Sequence, residues 1–264
     1  MPSHLSSIGF TVESGTDLGR LAERVAKIAE PIAVKGGKYL RWVGGSGEEL
    51  WLQVTTGGDL VGLSPHFSGR SRLDVGLVER LSRSHDSAFD GAFKAWASPS
   101  GESADDGDYP FVFDAPDAAL YADVKIPGLA AAQVTAFAHE LAFFETEAAF
   151  SASKDEEEIK FASRSFVPAG LFGEEADETP AHAMFTGQVI ESSSLVNPMT
   201  HLPYYWALVD TLGGRYDVVI DPALLPHAPS AGGFVSGTFW LSGRLLDYTR
   251  REKGWFGQIL GGSS

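Results

Sequence analysis

From Ala183 to Leu245 the chain consists of short apolar-alternating segments separated by Gly, Pro and Asp, with almost no helical period. Met184 to Ile190, Tyr204 to Thr211, Arg215 to Ile220 and Phe234 to Leu241 each have the length and the β-branched or aromatic content of a strand. Gly213-Gly214, between the second and third of these, supplies the residues of a tight hairpin turn. A group of closely spaced strands of this size removes its exposed edges by closing on itself. Residues 182–264 are therefore expected to form a small antiparallel β-barrel.

The residues in front follow a different pattern. Ser7 to Val12 reads as a strand, and Thr16 or Asp17 can cap a helix whose apolar face carries Leu18, Leu21, Val25 and Ile28. Pro31 is expected to end that helix. Lys38 to Val43 and Glu49 to Val54 read as strands around the turn Gly44-Gly45-Ser46-Gly47. Leu73, Leu77 and Leu81 suggest a second, short helix, and Ser98 to Asp108 a mobile loop ahead of the strand Phe111-Val112-Phe113. From Leu120 to Phe166 longer strands are expected, broken by a charged hairpin tip, Lys154 to Glu158.

At 264 residues the chain exceeds the usual size of one hydrophobic core. The expected class is α+β and β-dominated: an α/β module over residues 1–172, a linker over 173–181 with no apolar period, and the small barrel over 182–264. Each module is expected to have its own interior.

Charge and composition narrow the partners. Thirty-five acidic residues against 20 basic ones give a formal charge of −15, which opposes approach to phosphate backbones and anionic lipid. Nucleic acid is thus an unfavoured partner. Arg70, Arg72, Arg80 and Arg83, and Arg250, Arg251 and Lys253, read as solvated or paired surface groups. The chain has no cysteine, which removes disulfides, thiolate catalysis and cysteine-ligated metals and fits a cytoplasmic protein. No long apolar run suggests a leader or a membrane span.

Strict catalytic patterns fail one after another. His139-Glu140 opens like a metalloprotease helix, but Phe143 stands where the second zinc-binding His belongs. The glycines at 44, 45 and 47 fit neither a dinucleotide fingerprint nor a nucleophile elbow, and Asp105-Asp106-Gly107-Asp108 lacks the spacing of a calcium loop. His4, His66, His85, His139, His182, His201 and His227 are scattered without ligand spacing. The strand at 49–54 places Glu49, Trp51 and Gln53 on one face and Leu50, Leu52 and Val54 on the other. With His66 from a neighbouring strand, Glu49, Trp51 and Gln53 form the candidate ligand-binding cluster, polar groups beside an apolar wall. The structural alternative has Trp51 sealing an interface and Glu49 meeting an arginine such as Arg41.

Two families come into view on these residues. The run Ser7-Ile8-Gly9-Phe10-Thr11-Val12, the helix after it and the strands through Glu49-Leu50-Trp51 resemble one βαβββ unit of the vicinal oxygen chelate superfamily, the glyoxalase and bleomycin-resistance group. That resemblance implies a cupped site holding a divalent metal. Ser7 occupies the first-strand ligand position, with His4 three residues earlier, and Glu49 matches the Glu, so the implied pair is His4 and Glu49 and the implied activity a metal-dependent lyase or oxygenase. The C-terminal strands with Gly232-Gly233-Phe234-Val235-Ser236-Gly237 resemble an OB-fold, which implies single-stranded nucleic-acid binding through Tyr204, Tyr205, Trp206, Phe239 and Trp240. The leading expectation is a non-catalytic protein that binds a small molecule or another protein without a cofactor; the chelate-type enzyme and the single-strand binder are its alternatives.

Overall fold

The computed structural model describes residues 3–153, 162–169, 179–246 and 248. Among these residues the protein is β-dominated, with two sheets and two α-helices. The chain opens on a 3-10 turn, Ser6–Ile8, followed by α1 (Gly15–Ala26). Four strands come next: β1 (Glu30–Val34), β2 (Gly37–Val43), β3 (Glu48–Thr55) and β4 (Leu60–Phe67). They pair antiparallel in sequence order.

This first unit corrects several expectations. Ser7 to Val12 is not a strand, because Ile8 and Gly9 close a 3-10 turn and Gly9 takes a φ of +78°. Ser14, and not Thr16 or Asp17, caps α1 by accepting from the Asp17 backbone N–H. The buried stripe of α1 is Ala22 and Val25; Leu18 and Ile28 lie exposed, Ile28 beyond the helix end. Pro31 sits inside β1, an edge strand where a missing N–H costs no ladder bond.

The second sheet takes β5 (Leu73–Leu81), β6 (Ala92–Ala97), β7 (Tyr109–Asp114), β8 (Gly128–Phe144), β9 (Ser165–Pro168), β10 (His182–Val196), β11 (Pro203–Thr211), β12 (Gly214–Ile220) and β13 (Phe234–Leu245). A short helix, α2 (Glu147–Ala152), follows β8. Leu73 to Leu81 is thus a strand and not a helix. Leu73, Val75 and Leu77 pack into the core at period two, and the ladders to β6 and β8 leave no room for a helix. The 98–108 connection is a loop as expected, but it is packed down: a Cβ on Gly76 would stand 2.1 Å from the Ala104 carbonyl oxygen.

The four C-terminal strands form where expected, with the hairpin turn one residue early, since Thr211 pairs with Gly214. They do not close among themselves. The link between β12 and β13 is β8, which pairs parallel with β12 and antiparallel with β13 along twelve residues, Phe234↔Phe144 to Leu245↔Ala132. The β8–β13 ladder is shared by two circuits of pairing, one through β5, β6 and β7 and one through β10, β11 and β12.

One interior therefore runs across the boundary expected at 173–181. It joins Leu73, Phe93, Phe111, Phe113, Ala132 and Ala136 to Phe185, Val218, Phe239 and Leu241. The pairing that joins these residues is that of β8, which fills the edges of both β12 and β13 and so leaves neither unpaired. Most of the expected linker, and the hairpin tip expected at Lys154 to Glu158, lie outside the described residues.

The small sheet is covered on both faces. Trp42, Leu50 and Leu52 pack with Ile8, Phe10, Val25, Phe137 and Trp206, while Tyr39 and Trp51 pack with Phe89 on the other side. As a result β3 is buried almost end to end, its alternating sequence notwithstanding.

Candidate functional site

All four residues of the expected ligand-binding cluster are buried: Glu49, Trp51 and His66 are 0% exposed and Gln53 is 1% exposed. Glu49 is held by Arg41 from β2, by the Trp51 indole N–H at 2.8 Å and by Arg244 from β13 at 3.6 Å. Arg244 lies over the Trp51 ring and donates from Nε to Asp117 at 2.7 Å. Burial pushes the Glu49 carboxyl up, and the charges around it, Arg244 foremost, pull it below its ordinary value. Gln53 donates to Asp90 and accepts from Ser87, away from Glu49.

His66 belongs to a second polar knot, where β4 meets β8 and β13. The Gln133 amide nitrogen has Asp217, Thr135 and the Phe67 carbonyl as acceptors for its two hydrogens, which leaves its oxygen to accept from His66 Nε2–H at 2.8 Å. His66 Nδ1 then accepts from the Ser242 hydroxyl at 2.9 Å, so the neutral Nε2–H tautomer satisfies both partners. Burial lowers the imidazole to about 4. Asp217, also fully buried, accepts from the Arg70 and Ser71 backbone N–H groups, Trp206 Nε1 and Gln133, each within 2.9 Å. Every member has a partner inside the protein. The chemistry of Glu49, Trp51 and His66 is therefore that of a sealed junction between the sheets.

His4 and Glu49 hold different company. Nε2 of His4 faces Nε2 of His139 at 2.8 Å with the two rings 7° from parallel, and the Trp240 indole stacks on His4 at 4.1 Å. One of the facing nitrogens carries the proton that the other accepts. His182 meets His139 edge to face at 5.3 Å. Burial first, then His139 and His182, lowers His4 to about 4, and burial lowers His139 and His182 as well. Among the described residues no three His, Asp or Glu side chains are placed to hold a metal ion.

The β8 to β13 ladder carries a bulge here. Glu140 pairs with Thr238 and Ala138 with Phe239, so His139 is the extra residue, turned toward the N-terminal segment. A cleft of about 410 Å³ opens beside His139 and His182, walled by Met184 and Phe239.

Next to it lies a groove of about 690 Å³ between the end of β8, α2, β9 and the start of β10 and β13. Leu141, Phe144, Phe150, Val167 and Met184 give it an apolar lining, with Val167 and Met184 partly exposed at 38% and 43%. Glu140, Met184 and Thr238 line both spaces, so the groove and the histidine cleft adjoin. Neither space is lined by Glu49, Trp51, Gln53 or His66. Residues 139 and 182 stand out in sequence only as isolated histidines; the bulge and the pairing of β8 with β13 bring them together.

The aromatics expected to stack bases are largely interior. Tyr204, Trp206 and Phe239 are buried, and Trp240 packs beneath His4 with its indole N–H donated to Asp114 at 2.6 Å. No helix among the described residues is long and apolar enough to cross a membrane. Neither the family models, nor the curated proteins, nor the solved structures contain a match to this chain.

Proposed function

We propose that the protein is a non-catalytic binding protein whose ligand is a small molecule with an apolar body lodged in the groove between β8, α2, β9, β10 and β13. The observation that carries this reading is the groove itself: about 690 Å³, within the size range of small-molecule sites, with large apolar side chains left partly exposed on its wall. A few hydroxyls, Ser165, Thr186 and Ser236 among them, punctuate that wall and can orient a ligand. The burial of Trp51 moves the expected contact surface from β3 to this groove. The binding scaffold is rigid where it needs to be, because four of its walls, β8, β9, β10 and β13, are paired strands.

Titration with the neutral fluorophore Nile red tests the reading. The expected result is a saturable rise in fluorescence that weakens about tenfold or more in Met184→Glu, the scale of a buried apolar contact replaced by a charge. Met184 is partly exposed, so the variant keeps its urea midpoint. Absence of saturable binding, or equal binding by the variant, would refute the assignment.

A further inference from the structure

Among the described residues, the groove and the adjoining cleft together have one formally charged lining residue, Glu140. It sits where the two spaces meet, opposite Thr238 across the β8 to β13 ladder. No salt bridge or side-chain hydrogen bond engages its carboxylate among the described residues, although Arg41, Arg70, Arg83, Arg164 and Arg244 are each spent on other acidic groups. The remaining polar lining is hydroxyl and imidazole, and the neighbouring histidines His139 and His182 are shifted toward their neutral forms. A carboxylate beside large apolar side chains, with no cation of its own, has the complement of a positive head on an apolar body.

We infer, on the premise that the groove is the binding site, that its ligand is a cationic amphiphile: an alkyl or aromatic body against Phe144, Phe150, Val167 and Met184, and an ammonium head at Glu140. Glu140 is exposed and its carboxylate is solvated, so the discrimination is one of charge: an anionic head would face it within a chain of net charge −15, an uncharged head gains at most a hydrogen bond from it, and an ammonium head gains charge attraction as well.

Calorimetric titration with three single-chain probes of equal length separates the head groups: decyltrimethylammonium, decyl maltoside and decanoate, each below its micellar concentration and at physiological salt. Salt at that level confines the −15 field to within about 8 Å of its charges, so the comparison reads Glu140 and not the whole surface. The expected order is cation tightest, with an advantage of about fivefold or more over the maltoside, and decanoate weakest. In Glu140→Gln the ratio of cation to maltoside affinity falls toward one. Equal affinities in the unaltered protein, tighter binding of maltoside or decanoate, or a cation preference that survives Glu140→Gln would overturn the head-group assignment while leaving the groove as a binding site. Failure of all three probes to bind would overturn the site and the ligand class together.

Discussion

Acidification tests the sealed junction at His66 directly. Its imidazole is buried completely and lowered to about 4 by that burial, against 6.5 for an ordinary histidine. The unfolded chain therefore binds the proton between these two values and the folded chain does not, so stability falls as pH drops through the window from about 6.5 to 4. With about 1.4 kcal/mol for each pKa unit, this one group removes about 3 kcal/mol between pH 7 and pH 4. His4, also lowered to about 4, adds a loss in the same window, so the unaltered protein alone does not isolate His66. The comparison with His66→Gln does. Glutamine can still donate to the Gln133 oxygen and cannot titrate. Urea unfolding at a series of pH values should show the variant losing about 3 kcal/mol less than the unaltered protein on going from pH 7 to pH 4. Parallel pH profiles would refute the argument, and so would a His66 ring signal titrating near pH 6.5 in an NMR series on the unaltered protein, a measurement independent of whether the variant folds.

Two other perturbations read the same junction. Arg244→Met removes the cation shared by Asp117 and Glu49 and leaves two buried carboxylates under-compensated; the expected loss is about 3 to 5 kcal/mol in urea unfolding, and a loss below about 1 kcal/mol would contradict it. Gly69→Ala would place a Cβ 2.1 Å from Asp217, so this conservative change should cost about 2 kcal/mol or more, measured as a fall in the thermal midpoint, whereas Gly45→Ala, with open space around its Cβ, should leave that midpoint nearly unchanged.

Glu49, Trp51 and Gln53 illustrate how a strand's alternation can be read from sequence while what covers it cannot. Their shared face is visible in the sequence; that the face is covered is not, because the covering groups, Phe89, Asp117 and Arg244, come from 40 to 195 residues further along the chain. Arg41 is the exception, since it lies directly opposite Trp51 in the neighbouring strand and is within local reach of Glu49. The histidines follow the same rule. His4, His139 and His182 have no spacing that announces them, and a bulge at His139 is needed to aim the middle one.

What the sequence determined by itself was local: the amphipathic α1, the four late strands, the exclusion of cysteine chemistry and the net charge of −15. These follow from periodicity, turn chemistry and charge, all properties of neighbouring residues. The tertiary structure alone decided that Leu73 to Leu81 extends as a strand, that β8 joins the late strands to the earlier ones around one shared cluster, and that the groove lies beside Met184 and not Trp51. Each of those outcomes depends on which distant edge a strand finds to satisfy its backbone N–H and C=O groups, and that choice is made by the summed burial of the whole chain, not by the pattern of any one segment.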